Sequence, residues 1–193
     1  MNNKVTILIL FCFIILITLP VQADGWLLYQ KKAISDLYIY QGMALRLSDL
    51  SYDNLNIILE PGISNLDNDL SHLFLNLGVY RKFDQSNYQM GLKYNYSQTK
   101  DIFSQNQLLL ILRGENQINN FNVYSELAVS PIGNFKINNK SYRNTVGWSF
   151  ILGTTFEIYP QVNLLLESTN GKLLLADKPT TTSTYNFGIQ WQN

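Results

Sequence analysis

His72 is the only histidine in the chain's 193 residues, so an acid–base catalyst built from this sequence would have to use it. A hydrolytic site needs a hydroxyl or carboxylate within hydrogen-bond reach of that imidazole. Ser71 is the immediate neighbour, but adjacent residues of a strand point to opposite faces, so the pair cannot act together. Ser149 or Glu126 would meet His72 only through one particular register. A His-x-Ser pattern is absent, because His72-Leu73-Phe74 stands at that place. The simpler expectation is a single polar residue held in a hydrogen-bond network, with His72 as the one catalytic candidate the sequence offers.

Other clusters of chemical groups are less pointed. "NLDNDLS", Asn65 to Ser71, has two aspartates but neither the glycine nor the distal glutamate of a calcium loop, and is expected to be a solvated turn. Phosphate-cradling glycine loops, Cys/His metal spacings and nucleophile elbows are missing, so no cofactor and no metal is expected. The charged residues Arg46, Glu60, Lys82, Lys93, Arg113, Glu115, Glu126, Arg143, Glu157 and Glu167 lie on, or next to, one parity of the alternation described below. Their meaning depends on the elements that carry them.

Those elements are strands. Leu37, Ile39, Met43, Leu45 and Leu47 alternate with Tyr38, Tyr40, Gly42, Ala44 and Arg46. The same period of two recurs at Leu55–Glu60, His72–Tyr80, Tyr88–Ser97, Phe121–Ser130, Thr145–Phe156, Val162–Leu166 and Tyr185–Trp191. Asn106–Arg113 is apolar on both faces and says least. With Trp26–Gln30 as the first strand the count is ten, and eight is the alternative. Turn-rich connectors separate the runs, at Ser48–Asp53, Pro61–Asp69, Asp84–Asn87, Gly114–Asn120, Tyr159–Gln161, Pro131–Arg143 and Ser168–Thr184. Every proline lies outside the predicted strands.

Composition decides which way such a sheet faces. Charged residues make up only 15% of the chain, against roughly 25% in ordinary soluble domains. The non-apolar face is Asn, Gly, Ser, Thr and Tyr, too poor in Lys and Glu to be a water-facing exterior. A soluble, lipocalin-like binding barrel would hide the apolar side chains inside; a transmembrane barrel turns them outward to lipid. The second is expected, with Tyr88, Tyr96, Trp148, Phe156, Tyr185 and Trp191 as interfacial aromatics. Arg46, Glu60, Lys93, Arg113, Glu126, Arg143, Glu157 and Glu167 then form a lumen charge network. It is either an ion-selecting ring or, as expected for eight to ten strands, an ion-paired filling. Equal numbers of acidic and basic residues, 14 of each, give no electrostatic reason to expect nucleic acid as a partner.

Residues 1–23 are set apart as a cleaved signal peptide: Lys4, an apolar run from Val5 to Leu19, and small residues before a cleavage point after Ala23. The single cysteine, Cys12, falls inside it, so the expected mature domain, 24–193, has no disulfide.

With its leader, its alternating strands, the Gly147-Trp148 hairpin and the final strand "TYNFGIQW", the chain resembles small bacterial outer-membrane β-barrel proteins. Final strands of that kind usually finish on an aromatic residue, whereas Gln192 and Asn193 follow Trp191 here. The resemblance implies an all-β, antiparallel up-and-down transmembrane barrel in a Gram-negative outer membrane. It implies lipids, lipopolysaccharide and the barrel assembly machinery as partners, and a monomer. Lys136, Lys140 and Arg143 are candidates for meeting lipopolysaccharide phosphates. The expected role is structural, adhesive or recognition-based, carried by long outer loops at Pro61–Asp69, Pro131–Arg143 and Ser168–Thr184. A narrow channel and a barrel-type lipid hydrolase using His72 are the rival functions.

Overall fold

The computed structural model describes residues 23–35, 39–52, 55–66, 70–83, 86–99, 102–138, 140–175 and 179–192. All of the expected leader except Ala23 therefore lies outside the described residues. Ten long strands alternate up and down: β1 (Ala23–Ser35), β2 (Ile39–Tyr52), β3 (Leu55–Leu66), β4 (Leu70–Lys82), β5 (Tyr88–Thr99), β6 (Phe103–Ile118), β7 (Phe121–Ile137), β9 (Val146–Tyr159), β10 (Val162–Leu174) and β11 (Pro179–Gln192). A three-residue strand, β8 (Lys140–Tyr142), folds back on the end of β7.

The ladder closes on itself. Each long strand pairs antiparallel with its sequence neighbours, β7 passes over β8 to pair with β9, and β1 pairs with β11 from Gly25↔Gln192 to Ser35↔Thr182. Closure satisfies the edge hydrogen bonds that lipid could not. Following paired residues once round the ring from Ile137 returns to β7 at Tyr124, 13 residues away, one of which is taken up by a bulge. With a rise of about 3.3 Å per residue and about 4.8 Å between strands, that stagger tilts the strands by about 40°, within the usual range for barrels.

Alternation sets the two faces. Along β6, Gln107, Leu109 and Ile111 are buried in the interior while Leu108, Leu110 and Leu112 are 40%, 52% and 49% exposed outside. The same holds for Leu127 and Val129 on β7, Phe150 and Leu152 on β9, and Phe187 on β11, all exposed. An exterior this apolar far exceeds the patch a soluble monomer carries. The lipocalin-like alternative, apolar inside, is inverted here.

Connectors are much shorter than the sequence suggests. Three residues separate β3 from β4 and four separate β10 from β11, because the strands run on through Pro61–Leu66, Ser168–Leu174 and Pro179–Thr184. Likewise β2 runs to Tyr52 and β6 to Ile118. Three prolines thus lie in strands: Pro179 begins β11, and local geometry accommodates the two in strand interiors. Pro131 follows Ser130 at the β7 bulge, where Leu108 pairs with Ile132 and Leu110 with Val129. Beside Pro61 the β2–β3 ladder goes from Ala44↔Gly62 to Leu47↔Leu59 with no pairing between, as a residue without an N–H requires.

At the end where β1 begins and β11 finishes, called the terminal end below, Asn119-Asn120 and Pro160-Gln161 make two-residue hairpins, with positive φ at Asn119 (53°) and Gln161 (68°). Proline followed by a left-handed residue is type II turn chemistry, and an asparagine at positive φ is an ordinary turn device.

Candidate functional site

Among the described residues, polar and charged side chains converge in the lumen. Arg46 on β2 lies opposite the interrupted stretch of the β2–β3 ladder and reaches Glu60 on β3, with Nε donating to Oε2 at 2.8 Å. Its other nitrogens cross the lumen to Glu167 on β10, donating to Oε2 at 3.1 Å and to Oε1 at 3.3 Å. Glu167 is a hub. Tyr124 on β7 donates its hydroxyl to it, and Asn186 on β11 donates its amide. Asn76 on β4 donates to Glu60 at 2.7 Å. A second pair, Lys93 on β5 with Glu126 on β7, has its charges 3.6 Å apart, and Tyr80 on β4 donates to Glu126 at 3.4 Å.

Glycines position the large rings that complete this belt. Gly153 pairs with Tyr124, and a Cβ there would lie 2.2 Å from the ring. The bare backbone lets the Tyr124 ring lie flat over β9 to reach Glu167 on the strand beyond. Gly62 does the same for Phe74 on β4. Below the belt Arg113 stacks 4.2 Å from the Tyr124 ring centroid and approaches Glu115 at 3.6 Å, and Tyr80 and Ile111 pack with Leu109 and Ala128, which reach up to the chamber described next. Carboxylates this far from water are tolerated because each is held by a cation or by several hydrogen-bond donors.

Above the belt the filling stops. A chamber of about 170 Å³ is lined by Asn95, Ser97, Gln105, Gln107, Thr169, Thr182 and Thr184, with Arg46, Glu60, Lys93, Glu126 and Glu167 at its base. Phe103, Phe135 and Leu175, with Ile137 and Tyr142 against them, form an apolar cluster nearer the far end.

Six of the eight expected network residues, Arg46, Glu60, Lys93, Arg113, Glu126 and Glu167, point inward. Arg143 and Glu157 depart from that expectation. Both are exposed, because their positions fall at opposite rims of the barrel. Periodicity alone did not mark Tyr80, Tyr124, Asn76 and Asn186 as belt members. Inward parity was the signal for all four, joined for the tyrosines by a facing glycine, Gly91 for Tyr80 and Gly153 for Tyr124. Of the aromatics, Tyr88, Phe156 and Trp191 lie towards the terminal end, where Phe156 stacks 4.7 Å from Phe121. Tyr96, Trp148 and Tyr185 lie between mid-height and the far end.

His72 is 2% exposed. Its Nδ1 is 2.7 Å from the Thr99 hydroxyl, and the Phe74 and Phe103 rings stand 6.3 and 5.8 Å away. Thr99 is itself 1% exposed.

No protein-family profile matches the chain, and no curated protein matches it in sequence. Solved structures do. The outer membrane protease OmpT from Escherichia coli superimposes with a TM-score of 0.52 at 10% identity, over 91% of this chain and 99% of that one. Neisserial surface protein A superimposes with a TM-score of 0.50 at 8% identity, over 88% of this chain and 95% of that one. What these structures share with this chain is the fold, an up-and-down antiparallel β-barrel.

Proposed function

We propose that this protein is a sealed, monomeric outer-membrane barrel with a structural, adhesive or recognition role at the envelope surface, and that it is not a diffusion pore. The observation that carries this reading is Arg46, which joins Glu60 on β3 to Glu167 on the far side of the lumen, where Tyr124 and Asn186 also converge. Opening the lumen would require separating buried charges from their partners, which is strongly unfavourable. A narrow channel is the weaker reading for the same reason, and the burial of His72 and Thr99 weighs against a hydrolase.

Recognition would be carried by the far rim, since the connectors are short. Lys136, Lys140 and Arg143 are exposed together on the β7–β8 side of it, above the outward-facing Ile132. This arrangement suits an anionic lipid, phosphates on the cations and acyl chains on the apolar wall, and lipopolysaccharide is the natural candidate. Outer-membrane lipids would surround the rest, and β11 would be the strand offered to the barrel assembly machinery.

The test is planar-bilayer recording of the refolded barrel. The wild type is expected to give no steady current, and Arg46→Ala to give discrete openings. Stable ohmic conductance from the wild type would reject the sealed reading.

A further inference from the structure

One row of the outer wall breaks the apolar rule. Followed through the ladder pairings, it runs from Gln41 on β2 through Lys32, Tyr185, Ser168, Leu152 and Ser125, and by way of Gly114 reaches Tyr88 on β5. Leu152 is the one aliphatic residue among them. Gln41, Tyr185 and Tyr88 are exposed on the exterior, and Ser168 and Ser125 are half-buried. A neighbouring row is the ordinary case: Trp148, Val129, Leu110, Leu92 and Val79 pair in succession, all apolar and exposed.

The polar row crosses the whole band. Gln41 is the third residue of β2 from the far end, and Tyr88 is the first residue of β5 at the terminal end. Because the strands tilt by about 40°, a row perpendicular to them descends about 22 Å over its length, close to the roughly 25 Å height of a lipid-facing apolar band. A groove follows the row across β11, β10 and β9, lined by Gln41, Tyr185, Ser168 and Leu152, with Thr154 and Phe187 on its terminal side.

Polar groups facing hydrocarbon are unfavourable, and a lysine at such depth most of all, so a bilayer relieves them by thinning locally and letting water and headgroups descend. Lipid already surrounds this wall and carries the matching group, a phosphate for the row's single charge at Lys32. A headgroup can follow the hydroxyls and amide from one interface to the other while its acyl chains stay in the surrounding hydrocarbon.

We propose that this row is a path along which phospholipid headgroups cross between leaflets, so that the barrel wall passively equilibrates phospholipid across the membrane.

The full barrel is reconstituted in phosphatidylcholine vesicles with a trace of short-chain NBD-phosphatidylcholine in both leaflets, and albumin extracts the label from the outer one. Albumin is too large to enter the lumen, so the readout does not depend on whether the barrel is sealed. Extraction is expected to run to completion with the wild type and to stop at the outer-leaflet share without protein. Lys32→Leu should slow the inner-leaflet phase about tenfold, and so should Ser125→Leu combined with Ser168→Leu. Either variant carries the test if the other fails to refold, and the boiling-dependent gel shift verifies folding. Extraction that stops at the outer-leaflet share with the wild type would overturn the proposal and leave the row as a contact for a protein partner. A wild-type rate in either folded variant would overturn it too, by placing the lipid movement elsewhere on the wall.

Discussion

The two halves of the lumen share one wall and one alternation, yet one is filled and the other is hollow. Towards the terminal end, Tyr80, Tyr124, Arg113 and Ile111 project inward, and Gly153 lets the Tyr124 ring lie over β9 against Glu167. Towards the far end, beneath the apolar cluster of Phe103, Phe135 and Leu175, the chamber is walled by Ser97, Gln105, Gln107, Thr169, Thr182 and Thr184, whose hydrogen bonds, Ser97 to Gln105 and Gln105 to Gln107, run along the wall. In a barrel of ten strands, whether the interior is plug or cavity is decided by side-chain size and glycine placement, since the sheet is the same throughout.

The sharpest way to break the contrast is to remove the cation at the belt. Arg46→Ala leaves Glu60 and Glu167 buried without their guanidinium, and should lower unfolding stability by about 3–5 kcal/mol, read from urea melts in detergent. Gly153→Val comes next. Its side chain would occupy the space of the Tyr124 ring and push it off Glu167, lowering the temperature at which the unboiled gel species disappears by an amount corresponding to about 1–3 kcal/mol. Gln161→Gly works the other way. It relieves an l-residue at φ 68° in the β9–β10 turn and should stabilise by about 1 kcal/mol in the same urea assay. Asn95→Leu sharpens the comparison from the hollow side: deleting an acceptor that has no donor should shift the urea midpoint by no more than about 0.5 kcal/mol equivalent.

Much of this was legible in the amino-acid order. Alternation alone gave which face of His72–Tyr80 or Tyr185–Trp191 is apolar, because a single period of two admits only two settings. Strand ends were harder to read. Proline and small polar residues at Pro61–Asp69, Pro131–Arg143 and Ser168–Thr184 look like loop, and only the interrupted ladder at Pro61 and the bulge at Pro131 show how strands pass through them. In Asn106–Arg113, where both faces are apolar, no pattern could assign Leu109 and Ile111 to the interior. The belt was half legible. Parity put Arg46 and Glu167 on the same side of the wall, but they are 121 residues apart, and their meeting depends on the stagger of the whole ring.

That meeting is the central claim, and a double-mutant cycle tests it most directly. Arg46→Met, Glu167→Gln and the double variant are each unfolded in urea, with the folded fraction followed by boiling-resistant migration. A cross-lumen pair predicts a coupling of about 1.5–3 kcal/mol between the two positions. Additive effects, with coupling below about 0.5 kcal/mol, would mean that Arg46 and Glu167 do not hold the lumen shut together.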